Sequence, residues 1–478
     1  MTISKGKVGM KMREILQKLC WQWCVLPLLA LGLTAFANGA LAQADRNVWL
    51  ITNVNVFDGS NETLAMQTDV LIEGNMIKQV GKNLDASGAA VIDGGGRTLM
   101  PGLIEGHGHI IGAAFSSAEL VSAYWDEIGA KMLVRAQDYL NMGFTTVRDG
   151  GAWALGTKRA IDDGTADGPR IISPGSGISQ TGGHGDFRLP YQNNPFFSPA
   201  SQQPEHSILN FLGATRTADG VPEVRKLARA NLAAGAHFLK VMGGGGIYSP
   251  MDPLASLQYS IPELEAVAEE AANYGTYATI HVHLDEAVER AIDAGFKMVE
   301  HATIMEEDTV RKMARNNVIW SMQTSIFLAD PKTNPSIDTE VQRAKAQVIH
   351  DGLLQTIAYA KKHKLKTLWG TDIIGPRDAF LELFPTEWSF RNDYYTPYEQ
   401  LQQVTRINGE AIALSGVKNP YPDGPLGVIQ AGAYADIILV DGNPLQDILV
   451  LQNYDDNIDL IMKDGKVYKN AQADSATQ

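Results

Sequence analysis

A chain of 478 residues with 45% hydrophobic and 20% charged side chains has an ordinary globular make-up. At about 150 residues per domain it has room for two or three domains, or for one large α/β barrel with an appendage. A formal net charge of −14 and a pI near 5.2 argue against nucleic-acid binding, which needs a basic face.

The first 42 residues differ from the rest. Lys5, Lys7, Lys11, Arg13 and Lys18 make a basic start, VLPLLALGLTAF (25–36) is an apolar core, and Ala40-Leu41-Ala42 offers small residues for cleavage. This is the three-part pattern of a secretory signal, with an apolar run short for a membrane span of roughly 20 residues. The expectation is therefore a secreted or periplasmic protein, cleaved after Ala42, with no stable membrane anchor. Cleavage would remove both cysteines, Cys20 and Cys24, together with five positive charges and one negative one, taking the net charge from −14 to −18. The mature chain would then have neither a disulfide nor a thiolate ligand.

Residues 43–102 read as short strands, NVWLITNVNVFDG, TDVLIEGNMIKQVG and AAVIDGGGRTLMPG, punctuated by Asp-Gly and Gly clusters. From 103 to 418 the rhythm changes. Helical segments alternate with the apolar runs TTVRD, RIISPG, FLKVMGGGG, YATIHVH, MVEHA, VIWSMQ and LKTLWGTD. Such alternation predicts a parallel sheet, and about eight strands predict a closed (β/α)8 TIM barrel. Gly143, Gly235, Gly275 and Gly295 stand where helices should stop before the next strand. Strand-like runs return over 419–470. Neither β-rich end has enough strands for its own core, so the two are expected to build one small β-sandwich. Residues 471–478 read as a tail.

Polar residues gather at the C-terminal ends of the barrel runs, where active sites of this architecture form. His107 and His109 end GLIEGHGH, Lys240 lies in FLKVMGGGG, His281 and His283 end YATIHVH, His301 ends MVEH and Asp372 ends LWGTD. Strand alternation projects His107 and His109 to one face, which favours a pair of ligands over two satisfied core histidines. A charged, unpaired lysine inside an apolar strand costs on the order of several kcal/mol, so Lys240 must be ion-paired, neutral or modified.

This pattern resembles the amidohydrolase superfamily in its binuclear form: HxH on the first strand, Lys on the fourth, His on the fifth and sixth, Asp on the eighth. MPGLIEGHGH, GFTTVRDGG, AGFKMVEHA and AYADIILVDGNPL carry the likeness from about residue 46 to 470. SQTGGHGD, GGGIYSP and HVHLDEAVERAIDAG are similar to the Xaa-Pro and Xaa-Arg/Lys dipeptidases of this superfamily and to ochratoxinase. The resemblance implies two divalent ions, zinc from the donor types, about 3.5–4 Å apart. His107, His109 and Asp372 would hold one ion and His281 and His301 the other. Lys240, carboxylated by carbon dioxide, would bridge them. It also implies amide hydrolysis by a hydroxide held between the ions, with Asp372 as the base that then protonates the leaving nitrogen. Alternation alone does not choose between His281 and His283; the resemblance makes the first a ligand and turns His283 toward substrate.

Other substrate contacts rest on less. His184 lies in a glycine-rich loop, and Tyr248 follows the strand-four glycines. Arg148 has two readings, a binder of substrate carboxylate or a structural partner of Asp149 or another acid. The leading expectation is an exported hydrolase of dipeptides or N-acyl amino acids. A cyclic-amide hydrolase or lactonase on the same centre is the alternative enzyme, and a binding protein on an inactive barrel the non-enzymatic one. The resemblance is compatible with a homo-oligomer, and no stretch of the sequence shows an interface.

Overall fold

Val48–Val56, with alternating apolar residues, begins the part of the chain that the computed structural model describes: residues 48–471 apart from 111–122, 152, 189–209, 211–212, 248, 250–251, 333–336 and 338. Residues 1–42, read above as a secretory signal, lie outside the described residues with Cys20 and Cys24 among them, and so does Tyr248. No helix among the described residues is long and apolar enough to cross a membrane.

Five strands precede the barrel: β1 (Val48–Val56), β2 (Ala65–Glu73), β3 (Met76–Gly81), β4 (Ala90–Asp93) and β5 (Thr98–Pro101). The chain then runs through β6 (Leu103–Gly108), β7 (Phe144–Asp149), β8 (Arg170–Ile172), β9 (Gly177–Ser179), β10 (Thr215–Thr217), β11 (Leu239–Met242), β12 (Ala278–Leu284), β13 (Met298–Ile304), β14 (Ile319–Met322) and β15 (Thr367–Trp369). It ends with β16 (Ile437–Val440), β17 (Ile458–Lys463) and β18 (Lys466–Asn470).

Strands β6 to β8 pair in parallel, as do β9 and β11 to β15. A helix follows each of β11 to β13, at Ile261–Asn273, Asp285–Asp293 and Glu307–Arg315, and Trp125–Asn141 lies between β6 and β7. Every residue of β6, β7, β11 and β14 is buried, as expected of parallel strands covered on both faces. The four predicted helix-stop glycines all have positive φ, from +67° at Gly275 to +108° at Gly235, a conformation a Cβ disfavours. First and last barrel strands are tied by Asn408, whose Nδ2 donates to the carbonyls of Ile104 on β6 (2.5 Å) and Trp369 on β15 (2.8 Å). The fold is a TIM-barrel-like α/β architecture on a parallel sheet.

The two β-rich ends meet in one continuously paired sheet of eight strands, with path β18-β17-β16-β5-β1-β2-β3 and β4 paired to β1. The ends expected to build one small sandwich do pair with each other, edge to edge, because β1 exchanges β4 for β5 along its length and the other edge of β5 takes β16 antiparallel. At the foot of the barrel Arg170 anchors this sheet. Its guanidinium donates to both oxygens of Asp436 (2.7 and 3.2 Å) and to Asp464 (2.6 Å), between the rings of Tyr421 and Tyr434.

Candidate metal centre

β6 carries one extra residue against β7 between Glu105 and Gly108, so simple alternation is interrupted just before the histidines. Asp372 follows β15 with φ +56°, a left-handed conformation costly for a non-glycine residue. Glu105 fastens the two segments together: its Oε1 accepts the amides of His107 (2.7 Å) and Thr371 (3.1 Å). Burial pushes the Glu105 carboxyl up to about 8, against the pull of those amides. The Asp372 amide in turn donates to the His107 carbonyl at 2.9 Å.

Side chains converge from there. His109 Nε2 lies 2.7 Å and His107 Nε2 3.3 Å from the same oxygen, Oδ1 of Asp372. The opposite nitrogen of each ring faces a group that only accepts. His109 Nδ1 meets the Gly151 carbonyl (3.1 Å), and His107 Nδ1 meets Oε2 of Glu300 (2.7 Å). With the ring protons on Nδ1, both Nε2 lone pairs point at a carboxylate oxygen, an arrangement that a cation resolves. Burial opposes ionisation of Asp372, but His107, His109 and His301 outweigh it and hold the carboxyl well below its usual range.

The remaining expected ligands come from β11 to β13. Lys240 is 1% exposed. Burial, opposed by Glu300, assisted by Arg148 and opposed again by Asp372, pulls its ammonium down to about 8. His301 Nδ1 meets Oε1 of Gln323 at 2.8 Å, which leaves Nε2 free of its proton. The buried Nε2 of His281 has no hydrogen-bond partner among the described residues. Its ring centroid is 4.5 Å from that of His301, which is 4.9 Å from that of His107. Burial drives His281 and His301 far below the usual imidazole value, so both are neutral donors. These residues fit a metal: neutral imidazoles at His281 and His301, an ionised aspartate and an orphaned buried nitrogen. His107, His109 and Asp372 bring their ligand atoms within 4.8 Å of one another.

His184 is stacked on His281, with ring centroids 4.1 Å apart and 12° between the planes. Its amide donates to Gln258 Oε1 (2.9 Å), and its Nδ1 lies 3.5 Å from Asp252 Oδ2. His283 is buried beside the same group, with Nδ1 2.9 Å from the Thr303 hydroxyl. Arg148 takes the second of its two readings. It is 1% exposed, and its three nitrogens donate to Tyr277 Oη (2.9 Å), the Gly106 carbonyl (2.8 Å) and Glu300 Oε1 (2.7 Å). The guanidinium is committed to buried acceptors, and the acid it meets is Glu300 rather than Asp149.

Glu300, Gln323, Thr303 and Asp252 were not singled out from the sequence. Glu300 had a signal, a carboxylate in the apolar run MVEHA, which is the same anomaly that marks Lys240. The other three are ordinary polar residues whose roles appear only through their partners.

The sequence profile of the amidohydrolase family matches residues 98–468. Ochratoxinase from Aspergillus niger is 30% identical over 376 residues, covering 78% of this chain and 75% of that protein. A crystal structure of another amidohydrolase superposes with a TM-score of 0.79 at 30% identity, over 88% of this chain and 99% of that one. A prolidase crystallised with N-methylphosphonate-L-proline superposes with a TM-score of 0.78 at 28% identity, over 88% of this chain and 100% of that one.

Proposed function

The chain belongs to the amidohydrolase family and is a hydrolase of carbon–nitrogen bonds; from that premise we propose that it cleaves the amide bond of dipeptides or N-acyl amino acids with two divalent ions. The observation that carries the reading is the convergence of the Nε2 atoms of His107 and His109 on one aspartate oxygen, with an acceptor on the far nitrogen of each ring. The orphaned Nε2 of His281 supports a second ion beside it.

His107, His109 and Asp372 would hold one ion, His281 and His301 the other, and Lys240 would bridge as its N-carboxylate. Zinc suits imidazole and carboxylate donors and, when bound, would polarise the scissile carbonyl and make water a usable nucleophile at neutral pH. A buried amine that loses its proton near pH 8 adds to carbon dioxide as a free base and leaves an anionic oxygen donor. That accounts for a lysine in an apolar strand.

Asp372 is held ionised, so it accepts the proton of the attacking water and returns it to the leaving nitrogen. The chain supplies the rest by placement. Gly151 and Gln323 accept from the Nδ1 side of His109 and His301 and so hold these two rings in one tautomer. His184 and His283 flank His281 on the side proposed for substrate. A relative that binds a phosphonate on proline nitrogen favours an amide whose nitrogen belongs to an amino acid. Export, read from residues 1–42, completes the proposal, and sequencing the mature N-terminus is expected to start at Gln43.

The test is elemental analysis joined to a substrate panel. About two zinc ions per chain are expected, with cleavage of dipeptides or N-acyl amino acids abolished by chelation and restored by zinc. Full activity of the metal-free protein would refute the mechanism. Turnover confined to the cyclic amides and lactones of the panel would transfer the substrate to that class.

A further inference from the structure

A carboxylate and an arginine lie buried beneath the ligands, and the reaction described above uses neither for chemistry. Glu300 has 0% exposure and Arg148 1%. Both are held by contacts that lead to one atom, Nδ1 of His107. The Glu300 carboxylate divides its oxygens: Oε2 takes His107 Nδ1 (2.7 Å), while Oε1 accepts from Arg148 Nη2 (2.7 Å) and Thr279 Oγ1 (2.5 Å). Arg148 also donates to the carbonyl of Gly106, the residue before His107, and its guanidinium lies over the ring of Phe238 (4.5 Å). The ring and the backbone of this histidine are thus gripped from the same place.

Four barrel strands take part: Gly106 and His107 on β6, Arg148 on β7, Thr279 on β12 and Glu300 on β13. The backbone of β13 permits it. Strand alternation would send Glu300 and His301 to opposite faces. Here the pairing with β12 shifts after His301, which has φ +66°, and Ala302 follows at +41°. That break lets one strand send Glu300 to His107 and His301 to Gln323.

We propose that Glu300, charged and aimed by Arg148, is a positioning residue that fixes His107 with its proton on Nδ1 and its Nε2 lone pair toward the metal centre. The inference rests on the two-metal reading above. An imidazole free to exchange tautomers presents its lone pair to the ion only part of the time. A carboxylate on the far nitrogen removes that loss and makes the ring a stronger donor. Arginine suits the task better than lysine, because three acceptors at fixed in-plane angles match its planar fork.

The experiment measures zinc affinity by chelator competition, zinc content by elemental analysis and melting temperature, on the full chain. It compares wild type with Glu300→Gln and with the double variant Glu300→Gln/Arg148→Met. In Glu300→Gln the amide can donate to Nδ1 and favour the opposite tautomer, so zinc affinity is expected to fall about 10–100-fold. That variant also strands the Arg148 charge and should melt lower. The double variant removes the stranded charge and is expected to recover melting temperature while zinc affinity stays low. A merely structural pair would recover both together, and that result overturns the proposal. Wild-type affinity in either folded variant overturns it as well. Wild-type protein that takes up no zinc would instead bring down the two-metal reading, so the two failures are distinguishable.

Discussion

Two of the buried arginine–carboxylate clusters, around Arg170 and Arg148, use the same chemistry to different ends. Arg170, at the foot of β8, gives its donors to Asp436 and Asp464, and Asp436 accepts the Asp464 amide at 2.7 Å. Every contact there ends on another structural group and joins the barrel to the terminal sheet. Arg148, on the neighbouring strand β7, gives one donor to Glu300, and the free oxygen of that glutamate goes to a histidine whose other nitrogen faces the site. A buried ion pair is weak evidence of stability by itself, since desolvation offsets its attraction. What separates a fastening from a functional brace is where the last hydrogen bond points.

The largest effect expected is on the rate. Asp372→Asn keeps a side chain that tolerates a left-handed backbone and should lower kcat by roughly 10²–10⁴-fold, measured as initial rates on zinc-loaded protein. Unchanged turnover would remove Asp372 from proton transfer. Next is the foot of the barrel. Arg170→Met leaves Asp436 and Asp464 without their cation and should lower stability by about 3–5 kcal/mol in urea unfolding. Zinc content of its folded fraction should stay at the wild-type level; loss of metal there would erase the contrast between the two clusters.

His237 sharpens the comparison through pH. Burial, with Lys158 nearby, pulls its imidazole from 6.5 to about 4, and its Nδ1 accepts the Ser173 amide at 3.0 Å. The folded value lies below the unfolded one, so between pH 6.5 and 4 the unfolded chain binds more protons than the native one. Stability from this group is therefore present above pH 6.5 and lost as pH falls toward 4, about 3 kcal/mol over the window. His237→Asn should flatten that part of the stability profile, and an unaltered slope would assign acid sensitivity to other groups. The smallest effect belongs to the seam. Asn408→Ala leaves the carbonyls of Ile104 and Trp369 without their shared donor and should cost about 1–3 kcal/mol, with kcat unchanged.

The proposed ligands were legible as candidates because metal chemistry needs rare residue types, and a barrel puts them where strands end. His107, His109 and Asp372 converge although they are spread from position 107 to 372, since strand order alone carries them to one rim. The hydrogen-bond partners of those residues were not legible. Glu300 sits 193 positions from His107, and alternation along MVEH places it on the face opposite His301. Only the positive φ values at His301 and Ala302, which no rule of composition foretells, put both to use. Arg148 was read as having two roles for the same reason: its partner lies 152 residues away. The terminal strands were legible as strands but not in their edge-to-edge pairing, which depends on β1 changing partner partway along.

That pairing fixes an order of events during synthesis. β5 is complete at Pro101, yet the strand that covers its free edge begins only at Ile437. While the barrel emerges from the ribosome, the apolar edge of Thr98–Pro101 has no neighbour on that side, the kind of edge that recruits another chain. A message broken between codons 372 and 437 thus yields a product with every proposed ligand residue present and one sticky strand uncovered, a candidate for aggregation rather than for slow catalysis.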